Sequence, residues 1–420
     1  MIFLKYIYKK NDFKILLRNF ISLSAINVIG LIVPVITLPY VIRVIGLEKY
    51  GIIALALSLT AYFVTIVDYS FNITATRDVA KHKKSLKQIS LIYSKVMSTK
   101  FFFMIISLSI LSVVVIFNKR FFLDWQIFFL ISLQLISNFL FPQWFFQGIE
   151  EMKYIAFVKV SIQILFMLSI FILIKKESDF IIYALLLTLS SLISSVLGLI
   201  VMIKKYKVKY YFISINRMKA TLKINFPIFV NQFFPNLYNN SSTFLLAFFV
   251  SNEMVGIYAA LKKIIDIIVV LLKTISNVFF PYLNRKHNSF NKYKLILLSI
   301  TLLSIISLLL INNFILIFLK IYWDNAFWLL FLLSLSLIGY VLYDIFGLNF
   351  LIIKRHDVVV MKNTIIMSLI GFIISFPLIY FFGIIGAGLT IFITRIFLGF
   401  GVYFVYKKII NNKSFNELFT

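Results

Sequence analysis

The groups with chemical potential in this chain are charged and amide side chains set inside long apolar runs. Lys262, Asp266, Lys273 and Asn277 follow spacings of 4, 7 and 4 residues, which puts all four on one face of a 3.6-residue helix. Lys262 and Asp266 pair at i,i+4, which leaves Lys273 without a local acid, and Arg395 stands alone in a later run. Asn225, Gln232, Asn236 and Asn239 or Asn240 form a second polar face, at spacings of 7, 4 and 3 or 4. Lys159, two turns into its own run, joins these as a candidate for substrate binding. Asp68, Asp266 and Asp344 are the acids near membrane depth and are the candidates for ion coupling. Two readings of these faces stay open: a cationic, amide-rich lining of a watery cavity, or interhelical ion pairs and amide contacts that only hold helices together. Lys95 and Lys100 fall in first turns, where a lysine snorkels to the interface. Asp68 and Asp344 are placed near helix ends, where solvation favours an ordinary ionised role.

No enzyme constellation accompanies them. His82, His287 and His356 fall in loops without metal spacing, cysteine is absent, and no phosphate-binding G-x-x-x-x-G-K-[ST] run occurs. The expectation is a non-enzyme without metal or cofactor.

The elements that position these groups are membrane helices. Hydrophobic residues make up 61% of the 420 and charged ones 14%, with a mean hydropathy of +0.99. A soluble domain is nearer half apolar and a quarter charged. Apolar runs of the length a bilayer requires fall near 19–42, 50–74, 90–117, 125–147, 152–174 and 179–203, then near 222–250, 254–283, 293–319, 324–351, 358–382 and 384–406. The fold class is therefore an all-α polytopic membrane protein of about twelve transmembrane helices in two six-helix lobes. The lobes span 1–205 and 222–420, joined by a basic loop at 206–221. The second helix of each lobe opens with the same E-x-x-G-I-x-A signature, Glu48 to Ala54 and Glu253 to Ala259, an offset of 205. Such halves are parallel repeats, with a substrate cavity expected where they meet. Pro34 and Pro39, like Pro227 and Pro235, are expected to interrupt the first helix of each lobe, as breaks beside a cavity do.

Charge sets orientation. With the N-terminus inside, 28 of the 42 basic residues fall on cytoplasmic segments, 7 on outside loops and 7 within spans. The positive-inside rule then puts both termini in the cytoplasm of a cell inner membrane. The first apolar run, from Phe20, is too long for a cleaved signal and reads as an uncleaved span. The net charge of +27 sits in short loops between spans, which does not fit a nucleic-acid module; membrane lipids are the natural partners of such loops.

Several stretches resemble a known family. Pro39–Tyr40–Val41–Ile42–Arg43, then Val67–Asp68–Tyr69–Ser70–Phe71–Asn72 and Thr76–Arg77–Asp78–Val79–Ala80, resemble the opening of Wzx-type O-antigen flippases. So do Phe141–Pro142–Gln143–Trp144–Phe145–Phe146–Gln147–Gly148 and the Glu150, Met152 and Lys159 that follow. Ser70 stands where glycine is commoner in that family. The resemblance places the chain in the multidrug/oligosaccharidyl-lipid/polysaccharide exporter superfamily and marks Asp68, Arg77 and Lys159. It implies translocation of undecaprenyl-pyrophosphate-linked oligosaccharide repeat units, of O-antigen or a similar surface polysaccharide, from the cytoplasmic to the periplasmic leaflet. An ion gradient would drive it, not ATP. A polysaccharide polymerase and chain-length machinery are the implied partners. A cation-coupled drug exporter of the same superfamily and a lipid II-type flippase are the alternatives. The first would favour acids over the bases found here, and the second generally carries extra helices. A nontransporting scaffold explains the spans but not the polar faces.

Overall fold

The computed structural model describes residues 2–285 and 289–411; His287, with Lys286 and Lys413 of the charge count, lies outside them. Among the described residues the chain is predominantly helical and holds no strand. The helices are α1 (Ile2–Asp68), α2 (Phe71–Lys81), α3 (Leu86–Phe117), α4 (Lys119–Leu123), α5 (Trp125–Ser132), α6 (Gln134–Leu140), α7 (Gln143–Gly148), α8 (Met152–Leu173) and α9 (Phe180–Tyr206). There follow α10 (Ile215–Phe249), α11 (Asn252–Arg285), α12 (Phe290–Leu310), α13 (Asn312–Phe318), α14 (Ala326–Leu342), a π-helical stretch (Tyr343–Leu351) and α15 (Asp357–Asn411).

Eight helical segments among the described residues are long and apolar enough to cross a membrane. Two of them, Ala25–Lys81 and Asp357–Asn411, run to 57 and 55 residues. A 55-residue helix measures about 80 Å at 1.5 Å per residue, more than twice a hydrocarbon core of about 30 Å. Gly46 with φ 80° and Gly383 with φ 52° divide them instead into two crossings each, the second crossing of the first segment ending at Asp68. Helices α10 and α11, of 35 and 34 residues, are also long enough, their apolar character diluted by the amide and Lys/Asp faces. Together these account for about twelve crossings. The protein is a multi-pass, all-α membrane protein.

Local breaks differ from the sequence expectation in three places. The prolines do not interrupt their helices: α1 continues through Pro34 and Pro39, and α10 through Pro227 and Pro235. The second run ends at Asp68, six residues earlier than expected, because Tyr69 and Ser70 adopt φ of 41° and 64° before α2 begins. That left-handed conformation is free to glycine and costly to other residues, which accounts for the glycine common at the Ser70 position in the resembled family. The fourth run is split into α5, α6 and α7, with extended backbone at Phe141 before Pro142, where proline disfavours helical geometry in its predecessor.

The chain forms two compact units, one of residues up to Ile45 with Leu59–Phe233, the other of Gly46–Ser58 with the residues from Phe234 onward. In the first, two of the stretches that carry the family resemblance, those of α2 and α7, pack together. Thr76 of α2 donates to the Trp144 carbonyl of α7 at 3.2 Å, and Lys83 meets Glu150 at 2.9 Å. Trp144, Phe145 and Phe146 are buried there, and Tyr69 stacks on Phe103 and Phe229 with ring centroids 5.1 and 4.5 Å apart. The second unit contains both copies of the repeated signature, and they face each other. A β-carbon on Gly51 would collide with the Asn252 carbonyl, and one on Gly256 with the Leu47 carbonyl. Each motif therefore needs its glycine so that the other backbone can approach, the small-residue crossing that membrane helices favour.

Candidate functional site

The polar groups of the first unit fall into three places. Lys100, on α3, is 1% exposed and reaches across to the end of α1. Its Nζ lies 3.2 Å from Asp68 Oδ1 and 3.0 Å from the Asn138 carbonyl, and Asn72 Nδ2 donates to the same Asp68 oxygen at 2.8 Å. Lys100 does not snorkel, and Asp68, 8% exposed, is not solvated. The reason is the partner: a buried lysine tolerates the loss of water where a carboxylate and a carbonyl replace it. Lys159 lines a separate pocket of about 270 Å³ with Gln134, Asn138, Gln163 and four serines of α9. Its ammonium lies 5.3 Å from the centre of the Phe141 ring. Asn225 is buried and lines a smaller cavity of about 120 Å³ with Lys95, Asp78 and Thr221.

The second unit assembles the charges of α11 and α15. Lys262 donates to Asp266 Oδ2 at 2.8 Å, the i,i+4 pair read from sequence. Arg395 is not alone. Its guanidinium lies 3.8 Å from Asp266 Oδ1, donates to Ser336 Oγ of α14 at 3.1 Å and sits 5.9 Å from the centre of the Tyr340 ring. At 3.8 Å the contact is an ion pair without a direct hydrogen bond. Arg395 is 4% exposed and its Nε is buried without a hydrogen-bond partner. Lys273 stays outside this group, exposed and without an ion pair among the described residues.

Asp344 is the second residue of the π-helical stretch and is 2% exposed, so it too departs from the solvated role expected for it. The phenol of Tyr293 donates to Asp344 Oδ2 at 2.7 Å, and Asn349 Nδ2 lies 3.2 Å from the same oxygen. Asn349 also donates to Ser276 Oγ at 2.7 Å and to the Asp344 carbonyl at 3.1 Å. Asp344 has hydrogen-bond donors but no cation within ion-pair distance among the described residues. The π-helix brings residues five apart onto one face, and π-helical geometry inside α-helices gathers at functional sites.

The amides of α10 largely serve their own helix. Asn239 donates to the Pro235 carbonyl at 3.0 Å and Asn240 to Asn236 Oδ1 at 3.2 Å, while Gln232 is half-buried. Lys100, Asn138, Tyr293, Ser276 and Asn349 are the polar partners that sequence reasoning missed. Asn72 reaches Asp68 across the left-handed break at Tyr69 and Ser70, and Asn349 reaches Asp344 over a five-residue π-helical step, so helical spacing in the sequence reveals neither. Among the described residues no group of acids and histidines is arranged to hold a metal ion.

The apolar spans, with buried charges of both signs among the described residues, define a polytopic membrane protein. The chain matches the family described as "Polysaccharide biosynthesis protein" over residues 16–287, well over half its length, and belongs to it. A protein of Escherichia coli (strain K12) named as an O-antigen transporter is 25% identical over 392 residues, covering 90% of this chain and 93% of that one. A protein of Shigella dysenteriae with the same name is 26% identical over 271 residues, 64% of this chain and 67% of its own. Among solved structures, the lipid II flippase MurJ in an inward closed conformation superposes with a TM-score of 0.70 at 16% identity, over 93% of this chain and 87% of that one. An inward-facing MATE family transporter of the MOP superfamily gives 0.57 at 13% identity, over 94% of each chain. These two share the fold.

Proposed function

We propose that this chain flips undecaprenyl-pyrophosphate-linked oligosaccharide repeat units, of O-antigen or a related surface polysaccharide, from the cytoplasmic to the periplasmic leaflet of the inner membrane, with both termini cytoplasmic. The relatives named as O-antigen transporters support the substrate class. The observation that carries the anionic head group is Arg395, whose buried Nε has no acceptor. A buried donor left unpaired costs about 1–3 kcal/mol, and an oxyanion entering beside it removes that cost. Lys262, Lys263 and Lys273 on α11 add positive charge, and attraction between such charges and a pyrophosphate strengthens as water is excluded. Lys159 and its hydroxyl-lined pocket, with Asn225, Gln232, Asn236 and Asn240, provide the groups a sugar binds. Asp344 is the acid for ion coupling, with Asp266 held between two cations and Asp68 committed to Lys100. A polymerase and chain-length machinery would take up the product.

The test uses a host whose own repeat-unit flippase is deleted, so that lipid-linked units accumulate on the cytoplasmic face. The wild-type chain should restore surface polysaccharide, Arg395→Lys should retain part of it, and Arg395→Met at equal membrane abundance should abolish it. Full restoration by the methionine variant would remove the anion-binding role.

A further inference from the structure

The linker between α9 and α10 does not run free, and the way it is fixed builds an apolar groove. After a left-handed Lys207, residues 208–214 are outside any helix and lie along α3, held by three serines one helical turn apart. Ser90 Oγ accepts from the Lys209 amide at 3.1 Å, Ser94 Oγ accepts from the Tyr211 amide at 2.8 Å, and Ser98 Oγ bonds the Tyr210 hydroxyl at 2.8 Å. The match is geometric. Two residues of extended chain rise about 6.6 Å and four residues of helix rise about 6.0 Å, so alternate amides meet successive serines.

Beside this seam, Tyr93, Met97, Phe101 and Ile105 recur every four residues along α3 and form one wall of a groove of about 850 Å³. Tyr210 and Met218 face them, and Lys219 stands among the lining residues. The groove is open at its side, with Phe101 52% and Ile215 69% exposed, and its volume lies in the usual range for ligand sites of about 300–1,000 Å³. The same chain segment is strongly basic, with Lys207, Lys209, Arg217 and Lys219 all exposed.

We infer that this groove seats the acyl chains of an anionic phospholipid whose head group is held by Lys219 and Arg217. Apolar surface alone does not explain an occupant, because a chain leaving the bilayer for the groove exchanges one apolar setting for another. Selection comes from the charge at the mouth, where each cation near an anionic head group strengthens binding about fivefold. A neutral lipid has the chains without that attraction. The inference is independent of the transport reading, since it concerns lipid retention and not export.

Native mass spectrometry of the purified full-length protein, titrated with phosphatidylglycerol and with phosphatidylcholine of the same chains, tests it. Phosphatidylglycerol should bind at least tenfold more tightly. Lys219→Gln should weaken it about fivefold and Lys219→Gln with Arg217→Gln about twenty-five-fold, with phosphatidylcholine unchanged. Met97→Trp, which fills the groove, should reduce retention of both lipids; if that variant melts early, Ile105→Trp at the open side fills the same space. Equal affinity for the two lipids would overturn the inference, as would unchanged retention in a well-folded tryptophan variant. So would displacement of bound phosphatidylglycerol by equimolar polyprenyl phosphate, which would make the groove a seat for the carrier lipid.

Discussion

The two units treat charge inside the membrane in opposite ways. In the first, Lys100 and Asp68 form an enclosed pair whose remaining bonds go to Asn138 and Asn72, with the lysine side chain 1% and the acid 11% exposed. In the second, Asp266 is 36% exposed at its side chain, shares itself between Lys262 and Arg395, and leaves a guanidinium nitrogen unpaired. The first arrangement is complete and has nothing to offer a ligand. The second is over-supplied with cations and open at its acid. An intramembrane charge is thus a functional candidate only when its neighbours leave bonds unmade; a satisfied pair fastens helices.

The largest expected effect tests the enclosed pair. Lys100→Met strands Asp68 in a buried setting, and breaking such a pair from one side costs about 3–5 kcal/mol. Folded protein in the membrane should fall severalfold, with a matching drop in the detergent melting temperature. Adding Asp68→Asn should recover most of the loss, because a pair replaced by uncharged groups of similar size is often neutral. A single Lys100→Met variant that melts like wild type would end the distinction drawn between the units.

The second unit should owe its stability to backbone approach more than to its charges. Gly51→Leu and Gly256→Leu each drive a side chain into a facing carbonyl, and overpacking of this kind costs about 1–3 kcal/mol. Each should lower abundance, and the double variant should not rescue either one, since both side chains need the same space. Abundance unchanged in both single variants would place the crossing elsewhere.

How much of this was legible before the structure follows from the range of each interaction. The helices were, because twenty apolar residues need no tertiary context to declare themselves, and the Lys262–Asp266 pair was, because its partners share one helix. Lys100 and Asp68 are 32 positions apart, on elements whose packing no spacing encodes, so the lysine read as an interfacial one. Arg395 read as solitary for the same reason. The repeated E-x-x-G-I-x-A signature was visible, but not that its two copies touch. Prolines misled because a membrane helix continues through them where neighbouring groups supply the missing bonds.

Arg395→Met should divide stability from function. The acid it leaves keeps Lys262 at 2.8 Å, and methionine needs no hydrogen bonds, so the melting temperature should shift by no more than about 1–2 kcal/mol is worth. Export should be lost nonetheless. A variant that loses abundance in proportion to export would reassign Arg395 to structure, beside Lys100.

The smallest structural effect is expected at Asp344, and it bears on the coupling role most directly. Asp344→Asn preserves shape, and its carbonyl oxygen still accepts from the Tyr293 hydroxyl, now 2.7 Å from the carboxylate. The new amide hydrogens need an acceptor, and Asn349 Oδ1 is a buried acceptor without a donor; rotation of the Asn349 amide brings it to them, while the Ser276 and Tyr293 hydroxyls can donate as well as accept. The melting temperature should therefore move little. What the change removes is the ability to gain and lose a proton or to attract a cation, in a position where no fixed cation lies within ion-pair distance among the described residues. If Asp344 couples transport to an ion gradient, Asp344→Asn reconstituted in vesicles should flip lipid-linked repeat units at one rate with or without an imposed proton or sodium gradient, whereas wild type accelerates. Asp68→Asn, tested with Lys100→Met to spare the fold, should keep its gradient response. A gradient response that survives Asp344→Asn and disappears with the Asp68 pair would exchange the roles of the two units.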